Sequence, residues 1–366
     1  LFVDLNSYFA SVEQQLNPRL RNKPVAVVPV MAETTSCIAV SYEAKKFGVK
    51  TGTRVYEARK MCPGIQFIHA DHKMYVEYHH RIVEAVESCL PVSHVMSIDE
   101  MACQLTGSHR SLTRARELGL EVKQKIRQVG SALGCSVGLA PNRYLAKMAS
   151  DMQKPDGLTV LLLSDLPKKM FSLKTRDFLG VGCNMEIRLQ QHGIYTVEQL
   201  YHADIRKLRT VWGGIVGERF YHFIRGVDLE TSHEKNKSIG HSHVLSPKLR
   251  TSSGAYAVAQ KLLHKAAYRL RKINHWAMGF SVSIRFVDQS RWGEEVRIHE
   301  CQDTMTLNQI LQKLWNEDLH KFSHRAPIKV SVTLFDLIDD KDRNASFFEN
   351  RKRIDLSHAM DGINNK

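Results

Sequence analysis

The chain is 366 residues long, more than one ordinary core holds, so two to four domains are expected. Its 52 Lys+Arg against 38 Asp+Glu give a formal charge of +14, which suits a polyanionic partner, nucleic acid before any other. No run of 18 apolar residues and no signal-peptide pattern appears, and the basic residues are dispersed, so no membrane partner is expected. The seven cysteines are odd in number and include no Cys-x-x-Cys pair, which argues against a zinc site or a disulfide framework. A cytoplasmic protein with reduced, mostly buried cysteines follows. The first residue is Leu1 rather than methionine, so a few native residues are expected to be missing.

"LFV" reads as an apolar strand that runs into Asp4, followed by a helical pattern with Tyr8, Val12 and Leu16. "NPRLRNKPVAVVPV" supplies turn residues and a second buried strand, and "CIAVSYEAKKFGVKTGT" reads as strand, helix and glycine-stopped loop. Residues 72–90 are expected to be helical. In "SIDEM", 97–101, Ser97 and Glu100 fit a capping box. The alternation from Met101 to Leu105 and the Thr106-Gly107 turn signal favour a strand instead. Asp99 and Glu100 then begin that strand, where neighbours point to opposite faces. Two acids among apolar neighbours ask for a cation, so a metal site stands beside a cap or a solvated turn.

Residues 111–133 read as a further helix and "CSVGLA" as a strand, which completes an α+β core with one inserted lobe. In "YLAKMASD", Lys147 is a cation on an otherwise apolar helix face, three residues from Tyr144 and from Ser150; an anion explains it. From about 158 to 226 the pattern is helical with short loops, including Gly180-Val181-Gly182 between two helices and a second turn at Gly213-Gly214. Residues 229–240 are polar and unpatterned, a linker. Beyond them Val258, Leu262, Ala266 and Leu270 mark a helix, and "GFSVSIRFV", "EVRIHEC" and "IKVSVTLFDL" read as strands around another helix near 305–322. Alternation places Phe280, Val282, Ile284 and Phe286 on one sheet face, and Ser281, Ser283 and Arg285 on the other. It likewise separates Ile328, Val330, Val332 and Leu334 from Lys329, Ser331 and Thr333. With Arg297 and His299, the polar face suits sliding contacts to phosphates, or it is an ordinary solvated face. The column Lys261, Lys265, Arg269 and Lys272 reads as solvated. There is no repeat or low-complexity tract.

Five stretches, "VDLNSYFASVEQQLNP", "SYEAKKFGVKTG", "SIDE", "GLAPNRYLAKMASDMQKPDG" and "KSIGHSHVL", appear in an order and at a spacing that resemble a Y-family translesion DNA polymerase, the bacterial DNA polymerase IV branch in particular. The resemblance covers nearly the whole chain. It implies a multidomain right hand: palm at 1–10 and 70–160, fingers at 11–69, thumb at 161–228, little finger at 241–355 and a C-terminal tail at 356–366. It implies a monomer that works at the nucleoid on primer–template DNA and deoxynucleoside triphosphates. Two Mg2+ ions roughly 3.5–4 Å apart, for which Mn2+ substitutes, neutralise charge in such a transfer, and hard cations take oxygen ligands. Asp4, Asp99 and Glu100, with the Leu5 carbonyl, are the implied ligands.

The family often carries a second acid two residues after the first, where this chain has Asn6, so three metal acids are counted. Tyr42 matches a triphosphate-contacting tyrosine; Lys45 stands where arginine is frequent, keeping the charge and losing the bidentate fork. Lys147, Tyr8, Phe9 and Ser36 complete the implied nucleotide site, with Tyr8 turned inward and Phe9 as a steric gate under the sugar. Small residues around Ser36 and a short fingers lobe suggest tolerance of damaged templates. The Gly180-Val181-Gly182 turn resembles a helix-hairpin-helix, whose N–H groups at Gly180 and Gly182 approach a DNA phosphate. "NASFFE" lies where a sliding-clamp peptide is often found, with Asn344 replacing glutamine, and Phe347 and Phe348 either enter a clamp pocket or cover the protein's own sheet. A non-catalytic DNA-binding accessory protein of the same fold is the competing class, and the intact acids argue against it.

Overall fold

Short apolar runs build the first sheets of the computed structural model, which describes residues 1–229, 238–322, 324–343 and 350–364. Most of the expected linker and the Phe347–Phe348 peptide lie outside the described residues. The chain divides into two units, Leu1–Glu230 and Thr231–Lys366. In the first, β1 (Phe2–Leu5), α1 (Tyr8–Leu16), β2 (Val25–Val28), β3 (Ala39–Val40), α2 (Tyr42–Lys45), α3 (Val55–Met61) and β4 (Gln66–His69) lead to α4 (His72–Glu87). Then follow β5 (His94–Val95), β6 (Glu100–Ala102), α5 (Leu112–Val129), β7 (Cys135–Leu139), α6 (Arg143–Met152) and β8 (Leu158–Val160). Four helices close the unit: α7 (Cys183–Gln191), α8 (Val197–His202), α9 (Ile205–Trp212) and α10 (Ile215–Phe223).

The main sheet runs β5-β6-β1-β7-β8, and β3-β2-β4 forms a separate three-stranded sheet in the inserted lobe. β1 is buried throughout because β6 and β7 flank it and α6 lies over it. Gly138 in β7 allows that approach: a Cβ there would stand 1.9 Å from the Ala146 carbonyl oxygen of α6. The Asn142 side chain caps α6 by accepting from Leu145 N at 2.8 Å. Its amide donates to the Phe223 and Val227 carbonyls at 2.8 and 2.9 Å, which ties the helical lobe to the sheet. Leu145 and Met148 of α6 share one apolar cluster with Phe178, Leu189, Leu200 and Phe220 of that lobe. The strand expected over "MACQLTG" is only three residues long, Glu100–Ala102, although Cys103 N still donates to Leu1 O at 2.9 Å in continuation of the β1–β6 ladder.

The second unit comprises β9 (Ser238–Val244), α11 (Ser252–Lys272), β10 (His275–Phe286), β11 (Arg291–Cys301), α12 (Thr304–Phe322), β12 (Pro327–Asp339) and α13 (Arg351–Asn364). Its sheet runs β11-β10-β12-β9. Leu263, Ala266 and Leu270 of α11 and Leu307, Leu311 and Trp315 of α12 cover the face that carries Phe280, Val282, Ile284, Val330 and Val332. The expected division at 355/356 cuts through α13. The helix belongs to this unit because buried Arg271 donates to both Asp361 carboxylate oxygens at 2.6 and 2.8 Å and to Gln302 O at 2.7 Å. Five of the seven cysteines are buried, Cys89 is half-buried and Cys183 exposed; all are free thiols. Among the described residues no helix is long and apolar enough to cross a membrane.

Candidate active site and nucleic-acid interface

Two adjacent strands bring the first acids together, for Asp4 of β1 is the register partner of Glu100 of β6, and directly opposed residues share a face. Asp99 lies in the bend before β6, tied to β1 by Leu5 N donating to its carbonyl at 2.8 Å. The rule that separates neighbours within a strand therefore does not apply to this pair. Ser97 caps no helix; its hydroxyl donates to Asp99 Oδ1 at 2.5 Å.

Lys147 reaches across from α6. Its ammonium pairs with Asp4 Oδ2, lies 2.7 Å from Glu100 Oε1 and 3.1 Å from Asp151 Oδ1. Burial makes this ammonium harder to charge, but the Asp4 hydrogen bond and charge, then Glu100 and Asp151, outweigh it and hold its proton above the ordinary lysine range. Lys154 adds a second ammonium, 2.7 Å from Asp4 Oδ2 and 2.7 Å from Asp151 Oδ1. Sequence reasoning passed over Lys154 because "KPDG" reads as a turn, and a turn is where it lies, just past the end of α6. Among the described residues no three His, Cys, Asp or Glu side chains gather closely enough to hold a metal by themselves. Like charges repel, and here an ammonium lies between them.

Asn6, which stands two residues after Asp4 where an acid is frequent in the resembled family, is buried and employed elsewhere. Its amide donates to Ser136 Oγ at 3.0 Å, and its carbonyl accepts from Asp156 N at 2.8 Å. It latches β1 to β7 and to the turn that follows Lys154.

The inserted lobe contributes α2. Lys45 Nζ donates to Ser7 Oγ at 2.8 Å and stands 4.2 Å from the Tyr42 ring centroid. Burial, then the charges of Asp4 and Asp151, push the Tyr42 hydroxyl up to about 12. Burial, then Lys154, lower the Lys45 ammonium against the pull of Asp4, so both lobes feel the same acids. Ser36 is exposed and bridges Arg54 through the backbone.

Tyr8 and Phe9 part company at the start of α1. Tyr8 is 3% exposed and donates to the Tyr75 carbonyl at 2.7 Å. Its side chain is thus turned inward, away from solvent. Phe9 is half-buried and stacks on Tyr75, with ring centroids 4.3 Å apart and planes 14° apart.

In the helical lobe, Gly180 and Gly182 are exposed around buried Val181. Gly180 has φ +84°, which favours glycine, and Gly182 is the N-cap of α7 with no side-chain capping bond. A cleft of 740 Å³ separates this turn from Asp151 and Met148 of α6. In the second unit, Ser281 faces Thr333, Ser283 faces Ser331 and Arg285 faces Lys329 across β10 and β12, so the expected polar face is assembled. Arg291, not singled out from sequence, is the β11 partner of Arg285 and extends a row of three cations, a like-charge arrangement that costs stability without an anion. Arg297 differs: it pairs with Asp336 and lies over the Phe335 ring at 5.6 Å.

Residues 3–151 match the family model described as "impB/mucB/samB family", 236–347 that family's C-terminal domain, and 176–228 the model "DNA polymerase-iota, thumb domain". A protein named DNA polymerase IV from Moorella thermoacetica is 35% identical over 385 residues, spanning 100% of this chain and 92% of its own. DNA polymerase IV 1 of Bacillus subtilis is 30% identical, spanning 100% of this chain and 89% of its own. Among solved structures, a "Y-family DNA polymerase chimera Dbh-Dpo4(243-245)-Dbh" superposes with TM-score 0.81 at 23% identity, over 92% of this chain and 98% of that one. An "Insertion ternary complex of Dbh DNA polymerase" gives 0.63 over the same shares, also at 23% identity.

Proposed function

We propose that this chain, which belongs to the Y family of DNA polymerases, adds deoxynucleotides to a primer 3′ end under template direction, distributively, at low fidelity and across damaged templates. The observation that carries the reading is the convergence of Asp4 and Glu100, register partners on adjacent strands, on the Lys147 ammonium group. A site that already accommodates one cation between its carboxylates fits divalent metal, which polymerases of this family need. Asp4, Asp99, Glu100 and the Leu5 carbonyl are the oxygen ligands that would hold Mg2+, as two ions with Mn2+ as a substitute, and the bound metal supplies charge neutralisation and a more acidic primer hydroxyl.

The chain's own residues do the rest. Lys147 and Lys154 supply fixed positive charge on the acid side, and Lys45 supplies it from the opposite lobe beside the neutral Tyr42 hydroxyl, a hydrogen-bond donor, so a triphosphate is oriented between them. Ser36 leaves room beside the incoming base, and Phe9 excludes a 2′-hydroxyl. The N–H groups at Gly180 and Gly182 contact backbone phosphate, as do Ser281, Ser283, Arg285, Lys329, Ser331 and Thr333. Palm at 1–10 and 70–160, fingers at 11–69, thumb at 161–228 and little finger from 241 onward are the matching domain roles. The protein works as a monomer on DNA in the bacterial cytoplasm, at the nucleoid. Clamp binding through Phe347 and Phe348 stays part of the reading, on residues outside those described.

Primer extension in Mg2+ tests the function directly. Binding to primed template without any extension would move the chain to the accessory class. Lys154→Ala is expected to raise KM for each deoxynucleotide about tenfold, the loss of one partly exposed phosphate contact; an unchanged KM in single-nucleotide insertion would remove Lys154 from the nucleotide site. On the sheet face, Arg285→Ala and Lys329→Ala should each flatten the dependence of log K on log salt by about 0.9. Arg297→Ala should do less, since Asp336 already engages that guanidinium. Anisotropy titrations at several salt concentrations distinguish these outcomes.

A further inference from the structure

Phe9 and Glu13 lie four residues apart on α1, on one face of the helix, and a single side chain from α4 meets both. Tyr75 is fully buried. Its ring lies face to face with Phe9 at 4.3 Å, and its hydroxyl donates to Glu13 Oε1 at 2.6 Å, a length typical of a bond to a charged carboxylate. Its own carbonyl receives the Tyr8 hydroxyl at 2.7 Å. Burial raises the pKa of the Glu13 carboxyl, while the Tyr75 hydrogen bond opposes the rise. His72 stands edge-on to both rings, at 6.0 Å from Phe9 and 5.9 Å from Tyr75. Nothing in nucleotide addition requires a buried carboxylate at this point, so its position behind the gate calls for another explanation.

We propose that Tyr75, anchored by Glu13, is a positioning residue that fixes the Phe9 ring and thereby sets discrimination between deoxyribose and ribose. The proposal rests on the reading of Phe9 as the gate. A steric gate rejects a 2′-hydroxyl only to the extent that its ring cannot yield. An unsupported aromatic ring escapes a clash by leaving its rotamer at modest cost, and a stacked partner adds the loss of the ring–ring contact to that cost. The partner must itself be held, and the Glu13 bond is what stops the Tyr75 ring from turning with Phe9.

The experiment is single-turnover insertion of matched deoxy- and ribonucleotides, read as the ratio of kcat/KM for the two sugars, with a melting curve for each variant. A general structural defect slows both sugars and cancels in the ratio. Tyr75→Leu, which keeps bulk and removes the stack, is expected to shift the ratio toward ribonucleotide about three- to tenfold. Tyr75→Phe and Glu13→Leu, which remove the anchor by opposite routes, should each shift it about threefold, and Glu13→Gln, which keeps an acceptor oxygen, should retain the wild-type ratio. In Phe9→Ala the further change Tyr75→Leu should add nothing, because the element being positioned is gone. Relaxation by Phe9→Ala with wild-type ratios in folded Tyr75→Leu and Tyr75→Phe overturns the proposal and leaves the gate standing. Unchanged discrimination in Phe9→Ala overturns the gate itself. Glu13→Gln behaving like Glu13→Leu overturns the anchor.

Discussion

Asp99→Ala combined with Glu100→Ala is expected to lower primer extension at least a thousandfold, about 4 kcal/mol of transition-state stabilisation, while the protein still binds primed DNA. The two side chains have different connections. Asp99 accepts only from the hydroxyl of Ser97 two residues before it among the described hydrogen bonds, and Glu100 accepts from Lys147. After both are removed, Asp4 and Asp151 remain held by Lys147 and Lys154, so the pocket keeps two carboxylates matched by two ammonium groups and has too little negative charge for divalent metal. The phosphate contacts proposed for the helical lobe and the second unit are untouched, which is why DNA binding should survive. Extension equal to wild type on the same template, with melting curves that show a folded variant, would refute the assignment of these acids.

Phe9→Ala should keep deoxynucleotide insertion and raise ribonucleotide insertion at least about tenfold. The gain comes from space. A half-buried ring is removed from the start of α1, while Tyr75 behind it stays bonded to Glu13 and so does not fall into the gap. Removing a steric clash affects only the sugar that makes it, so the effect belongs in the ratio of the two kcat/KM values rather than in deoxynucleotide KM alone. Sugar discrimination unchanged in single-nucleotide kinetics of the folded variant would assign the Phe9 ring to core packing.

The acids were legible in the sequence because their signature is local: a strand ending in Asp4, and Asp99-Glu100 at the head of an alternating run. The polar face of the second unit was legible for a similar reason, since a period of two fixes it before any partner strand is known. The contents of the unoccupied half of each pairing were not. Lys154 joins Asp4 only because α6 crosses β1, an approach that depends on Gly138 being bare, and no pattern within "QKPDG" announces it. Arg291 became a neighbour of Arg285 through cross-strand register, which alternation alone leaves open. Tyr8 and Phe9 carry equal aromatic character in sequence, where only the family resemblance turns Tyr8 inward; the physical partner that holds it there is a carbonyl on α4, sixty-seven residues from Tyr8. The end of the second unit was misjudged because the bond that holds α13 joins Arg271 to Asp361 across 90 positions.

The alternation over Phe280–Arg285 of β10 and Val330–Leu334 of β12 separates two kinds of evolutionary freedom. Exchanges at Ser281, Ser283, Ser331 or Thr333 alter an outward face where surface substitutions typically change stability by about 0.5 kcal/mol or less. Exchanges at Phe280, Val282 or Val330 disturb a core filled from α11 and α12. If this sheet binds a polyanion as proposed, point substitution can therefore retune the grip residue by residue with the fold unaffected. A single-residue insertion or deletion cannot, because it would send the serines inward and the aromatic and branched side chains to the surface.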